Sequence, residues 1–258
     1  MKIENDLNKT RGGAENLTLL IPMYNKAPYI ERMVKSISEQ TYINRTKIIV
    51  VDDCSTDDSV EVLKRSAEKF HVPMILKFNR KNLGISLTIR NMYRKIETEF
   101  WTVLDPDDYY IDSQRLERAV KFLESHPDHS MHGCNFFYEN PDGRRIPAFP
   151  ESAQNFSSDN LATMPFFQTS SGTFRNFWTD DLLLELERTA GKNRYHFTQG
   201  DSFRDFCAIN SGKAYLDNFI GSVYTLGVGI WDTMSTLEKN LMGMVSSYWL
   251  FELARDFF

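Results

Sequence analysis

The chain has 258 residues, 41% of them hydrophobic and 25% charged, with a formal net charge of −5. That composition suits a soluble chain able to bury a sizeable core, and the absence of a long basic run argues against bulk nucleic-acid binding. Cys54, Cys134 and Cys207 are far apart and odd in number, so neither a zinc pattern nor a disulfide framework is expected and a reducing, cytoplasmic setting is favoured. Residues 1–16 lack the apolar stretch of a signal peptide and read as a flexible leader. No run reaches the roughly 18 apolar residues of a membrane span.

Leu17 to Pro22 is a β-prone run, followed by a helix whose inner face is Ile30, Met33, Val34 and Ile37. Lys47 to Val51 is a second strand ending in Asp52 and Asp53. The next helix, with Thr56 or Asp57 as its cap, buries Val60, Leu63, Ala67 and Phe70. Pro73 to Phe78 is a third strand, Asn79 to Gly84 a polar loop, and Ile85, Ile89, Met92, Tyr93 and Ile96 mark a third helix. The fourth strand, Phe100 to Leu104, runs into Asp105, Asp107 and Asp108. Three carboxylates this close repel unless a cation sits among them. A hard divalent metal is the usual answer, and an ordinary Asp-Pro surface turn is the bland alternative.

Strands alternating with helices predict a parallel sheet covered on both faces. Right-handed crossovers then bring all four strand C-termini to one edge, where open α/β sheets bind ligands. Pro22–Asn25, Asp52–Thr56, Asn79–Gly84 and Asp105–Asp108 should therefore converge on one cleft.

Further along, Ser113 to Ser125 is an amphipathic helix and Met131 to Glu139 a strand entering a hairpin turn at Asn140–Gly143. Phe149 to Arg175 lacks periodicity and reads as a functional loop region. Helices are expected at Thr179–Arg188 and Gly200–Asn210, and short strands at Lys213–Leu216 and Ser222–Leu226. A terminal helix at Thr236–Phe258 carries Tyr248, Trp249 and Phe251, aromatics that suit packing or a subunit contact, with docking on a membrane surface as the alternative. His126, His129 and His132 are expected in a polar loop rather than a zinc site, because Pro127 breaks the helical spacing.

LLIPMYN at Leu19–Asn25, SISEQ at Ser36–Gln40, IIVVDDCS at Ile48–Ser55, NLGISLTIRN at Asn82–Asn91 and LDPDD at Leu104–Asp108 together resemble a family 2 glycosyltransferase. The resemblance is good over 17–125 and looser to about residue 226. It implies the GT-A fold, a Rossmann-like α/β architecture with a mixed, mainly parallel central sheet flanked by helices and a smaller acceptor-side subregion. On that reading 17–226 is the catalytic domain, with a nucleotide-binding half at 17–125 and an acceptor-binding half at 126–226. Residues 227–258 then form a C-terminal loop and helix.

The resemblance also implies roles. Pro22, Tyr24 and Asn25 shape the nucleotide side, with Tyr24 stacking on the base. Asp53 accepts from the uracil N–H, Asn82 and Gly84 let backbone approach the nucleotide, and Arg90 supports the ribose or the acidic loop. One or two of Asp105, Asp107 and Asp108 hold Mn2+ or Mg2+ while another holds the ribose. Asp107 and Asp108 are the metal candidates, Asp105 and Asp107 the nucleotide-sugar candidates. Asp201 falls at the family's catalytic acidic position, where the bland alternative is a helix cap, and Gly200 departs from the usual Glu. Trp231 lies where the family carries a loop over the donor or acceptor.

The implied activity is metal-dependent, inverting transfer from a nucleotide sugar, with UDP favoured, to a hydroxyl of a glycan or lipid-linked saccharide. No nucleic-acid partner is expected. The expected setting is cytoplasmic, with peripheral attachment to the inner face of a membrane and homo-oligomerisation through the C-terminal helix as further expectations. The rival readings are a non-catalytic nucleotide-sugar-binding relative and another metal-dependent phosphoryl- or nucleotidyl-transfer enzyme.

Overall fold

The structure, a computed structural model, describes residues 14–149, 153–157, 168–184 and 201–229, with residues 5–6 and a few positions from 232 to 239. Gly200, Trp231 and nearly all of the expected terminal helix lie outside the described residues.

Strands β1 (Asn5–Asp6), β2 (Leu17–Met23), β3 (Thr46–Asp52), β4 (Ile75–Phe78), β5 (Phe100–Val103), β6 (Tyr109–Tyr110), β7 (His129–Glu139), β8 (Arg145–Pro147), β9 (Gln154–Phe156), β10 (Gly172–Arg175) and β11 (Lys213–Thr225) belong to one sheet. Helices α1 (Ala27–Ser38), α2 (Ser59–Lys69), α3 (Ile85–Tyr93), α4 (Arg115–Ser125) and α5 (Asp201–Ser211) pack around it. The strand order is β1-β4-β3-β2-β5-β10-β7-β11-β6, with β8 paired to β7 and β9 to β11. From β4 through β3 and β2 to β5 every pair is parallel, as the βα alternation requires.

The pleat of β2 explains why helices cover both faces. Leu17, Leu19, Ile21 and Met23 point into a core with Ile30, Met33 and Val34 of α1 and Leu63 of α2. Leu20 points the other way, into a second core with Ile89 and Met92 of α3 and Phe203 and Cys207 of α5. Alternate residues of a strand face opposite sides, so a strand apolar at nearly every position needs a layer on each side.

Antiparallel pairing carries the second half. β10 runs antiparallel to both β5 and β7, while β11 runs parallel to β7. The start of β10 and the ends of β7 and β11 are thereby set at the edge where β5 ends. The acceptor half thus feeds side chains to the same edge as the parallel half.

Three expectations change. The two short strands expected at 213–216 and 222–226 are one strand, β11, whose register against β7 shifts at three places between Lys213 and Ser222; bulges interrupt the alternation without ending the pairing. Only His126 to Asp128 of the histidine segment is a loop. His129 and His132 are buried in β7, where His129 bonds Asp128 and Asn155 and His132 bonds Asp217. Within the leader, Asn5–Asp6 pairs antiparallel with Ile75 and Leu76, satisfying the open backbone edge of β4.

Candidate functional site

The site begins where β2 and β3 end. Asn25 adopts φ 50°, a left-handed geometry that Asn tolerates better than most residues. Its amide holds the neighbouring loop, with Oδ1 accepting from Thr56 N at 2.8 Å and Nδ2 donating to Thr56 Oγ1 at 3.2 Å. Asp57 accepts from Ala27 N at 3.2 Å and Ser59 N at 3.0 Å, serving the starts of α1 and α2 together. Pro22 is buried in the strand, whereas Tyr24 is 42% exposed at the edge, available for a flat ligand to stack on.

Asp53 organises the loop after β4. Its Oδ1 accepts from Asn79 Nδ2 at 2.7 Å and Leu83 N at 2.9 Å, and its Oδ2 from Gly84 N at 2.8 Å. Asn82 Oδ1 shares the Gly84 N–H at 3.0 Å. Three donors fill three of the roughly four acceptor positions of a carboxylate, so Asp53 shapes the loop. Gly84 sits at φ 79°, ψ 158° immediately before α3, a region essentially confined to glycine. Arg90 lies half-buried on α3. Asp52 turns back on its own chain and accepts from Ser55 N at 3.1 Å.

The acidic loop divides its three carboxylates. Asp108 is buried, accepting from Gln168 Nε2 at 2.5 Å, Thr225 N at 3.0 Å and Ser170 Oγ at 3.4 Å. Burial, then the Asp107 and Asp105 charges, push its pKa well above the carboxylate range. Asp107 pairs through Oδ2 with Lys26 Nζ at 2.5 Å. Asp105 is pushed up to about 7, mostly by burial and then by Asp107 and Asp201, with Lys26 and Arg204 pulling the other way.

Among the described residues no group of three or more His, Cys, Asp or Glu side chains is set to hold a metal ion; Asp105 and Asp107 offer hard oxygens of the kind Mg2+ and Mn2+ prefer. The carboxylate of Asp105 and the Oδ1 of Asp107 take no protein donor among the described residues. The oxygens of Asp108 are turned to Gln168, Ser170 and the Thr225 backbone.

The opposite wall comes from the 3-10 turn Thr169–Ser171, which β10 places beside the end of β5. Thr102 Oγ1 donates to Gly172 O at 2.6 Å. The buried guanidinium of Arg115 donates to Thr173 Oγ1, Ser170 O and Gly172 O, stapling the turn to α4. Asp201 is the first residue of α5. Its Oδ1 accepts from Thr169 Oγ1 at 3.0 Å and Arg204 Nη1 at 2.7 Å, so the carboxylate joins the 3-10 turn to α5. Arg204 is buried, pairs also with Asp205 at 2.7 Å, and these two carboxylates hold its pKa above the usual arginine value against the opposing effect of burial.

Tyr24, Asn25, Asp53, Asn82, Gly84, Asp105, Asp107 and Asp201 therefore come to one edge, and Trp231 lies outside the described residues. Several contributors had no sequence signal of their own. Lys26 follows the strand-one motif without being part of it. Gln168, Thr169 and Ser170 lie in the aperiodic stretch. Glu139, which accepts from Arg32, Arg145 and Tyr109, is legible only as the end of a strand. Arg32 also donates to Asp107 O at 3.1 Å and Thr225 Oγ1 at 2.9 Å, joining α1, the acidic loop and β11.

The model of the family described as Glycosyl transferase family 2 matches residues 18–201. The glycosyltransferase GlyG of Streptococcus pneumoniae is 26% identical over 196 residues, 74% of this chain and 63% of that protein. The chain spans 44% of the length of its matching mycobacterial relatives. Among solved structures, residues 1–349 of TarS from Staphylococcus aureus in complex with UDP align with TM-score 0.62 at 18% identity, covering 82% of this chain and 60% of that one. The mannosyltransferase PcManGT of Pyrobaculum calidifontis, with GDP-Man and Mn2+, aligns with TM-score 0.57 at 20% identity, over 86% of this chain and 60% of that one. These likenesses show the same α/β fold.

Proposed function

The chain belongs to glycosyl transferase family 2, and from its site we propose that it transfers a sugar from UDP to a hydroxyl of a glycan or lipid-linked acceptor, with inversion and with help from a divalent cation. One observation carries this reading. The turn whose Thr169 bonds Asp201 at 3.0 Å also bonds Asp108 through Gln168 and Ser170, so one short segment ties a carboxylate suited to proton abstraction to the acidic loop.

In this mechanism Tyr24 stacks on the base and the remaining acceptor position of Asp53 takes the uracil N–H. Asp105 and Asp107 would hold Mn2+ or Mg2+, which would supply electrostatic neutralisation of the charge growing on the diphosphate leaving group. Asp201 removes the acceptor proton as the hydroxyl attacks, while Thr169 and Arg204 fix the direction of its carboxylate. The cleft is lined by carboxylates rather than by a phosphate-cradling glycine loop, which favours glycosyl over nucleotidyl transfer. The expected setting is cytoplasmic; no described helix is long and apolar enough to cross a membrane.

Calorimetry with UDP and GDP, each with and without Mn2+, tests the donor side. UDP affinity should rise at least about tenfold with Mn2+, and equal affinity in its absence would remove the metal role. Asp201→Asn should bind UDP-sugar normally and lose transfer. Full transfer by that variant would take the base role away from Asp201.

A further inference from the structure

We propose that Lys26 is a two-position cation: it rests on Asp107 in the donor-free protein and moves to the donor diphosphate when a divalent cation takes Asp107. This rests on the nucleotide-sugar reading above and adds a residue to it. The backbone of Lys26 is fixed, its N–H donating to Ser59 Oγ at 2.8 Å and its carbonyl accepting from Tyr29 N at the start of α1. The side chain then reaches across the edge to Asp107 Oδ2 at 2.5 Å and Val228 O at 2.8 Å. Those contacts use two of the three donors of an ammonium.

The electrostatics make the resting position conditional. Asp105, Asp107 and Asp108 converge with Asp201 nearby, and the Lys26 and Arg204 charges oppose that crowding at Asp105. Arg204 is already committed to Asp201 and Asp205, and Arg32 reaches the acidic loop at the Asp107 backbone oxygen; among the described residues Lys26 is the cation that pairs with a carboxylate of that loop. A divalent ion on Asp105 and Asp107 would put two positive charges beside the ammonium, and like charges at such range disfavour each other strongly. The lysine stem is flexible and its head a compact point charge, so it can relocate without moving the anchored Cα. The anion arriving with the metal is the diphosphate, at the sheet edge where the Lys26 backbone is fixed. Lys26 thus neutralises the loop before loading and the leaving group after it.

The experiment is titration calorimetry of wild type, Lys26→Met and Lys26→Arg with Mn2+ alone and with UDP in saturating Mn2+. Removing the resident competitor should make Lys26→Met bind Mn2+ severalfold more tightly, while loss of one charge-assisted bond should weaken UDP about tenfold. Lys26→Arg keeps the charge and should hold UDP within about threefold of wild type, which a folding defect would not reproduce. Weaker Mn2+ binding in Lys26→Met, or unchanged affinity for both ligands, would overturn the two-position role while leaving the donor reading intact. A wild type that binds no UDP with Mn2+ would overturn both.

Discussion

Thr169 Oγ1 donates to Asp201 Oδ1 at 3.0 Å across 32 positions of sequence. The same 3-10 turn reaches the acidic loop through Gln168 and Ser170, both bonded to Asp108. One turn thereby sets the spacing between the proposed base and the loop that would hold the leaving group. Such spacing matters because small misplacements of reacting groups cost large factors in rate.

Thr169→Val should therefore lower kcat about tenfold, the scale of one lost bond to a charged group, with little change in donor KM. Thr169→Ser should restore most of it. Steady-state UDP release checks both, and a loss confined to KM would assign Thr169 to binding instead.

Asp107 and Asp108 should behave differently despite being adjacent. Asp107→Asn should abolish the Mn2+ dependence of UDP binding while changing the urea midpoint little. Asp108→Ala leaves Gln168 Nε2 and the Thr225 N–H unpaired and should cost about 1–3 kcal/mol in urea unfolding. Equal destabilisation by both would refute the division of labour.

Gly84→Ala should destabilise by about 1–3 kcal/mol. An added Cβ there meets nothing within 4 Å, so the cost would be backbone strain at φ 79° and not a clash. Thermal or urea unfolding measures it, and a neutral substitution would show that the loop relaxes.

His132 sets a pH dependence. Burial lowers its pKa below 6.5, against the opposing carboxylate of Asp217. Below about pH 6.5 the unfolded chain binds a proton that the folded chain resists, so stability is fully present above that pH and falls as pH drops. Raised carboxylates such as Asp105 act in the opposite sense over the same range, so the readout is the difference in Tm between wild type and His132→Gln from pH 5 to 8, which should shift against wild type as pH drops. A difference that does not change with pH would refute the assignment.

Much of the parallel half was legible because its information is local. The short β-prone run Leu17–Pro22 and the helical period through Ile30, Met33, Val34 and Ile37 each specify an element, and short crossovers leave few ways to arrange them. The second half was harder to read. Register shifts in β11 disguised one strand as two, and the period-two signal of β7 was masked by buried polar residues such as His129, Ser130 and His132. Their partners lie elsewhere in the chain, so polarity alone suggested a loop.

The sequence by itself determined where carboxylates and glycines fall relative to strand ends, and so which edge carries the site. Composition and order of motifs were sufficient for that, because strand direction follows from connection. The tertiary structure decided what each group does there. Asp108 turns inward because Gln168 and Thr225 meet it from 60 and 117 positions away. Asp107 keeps a lysine from 81 positions away. Those meetings follow from β10 and β11 entering the sheet beyond β5, a consequence of long-range strand order that no local periodicity records.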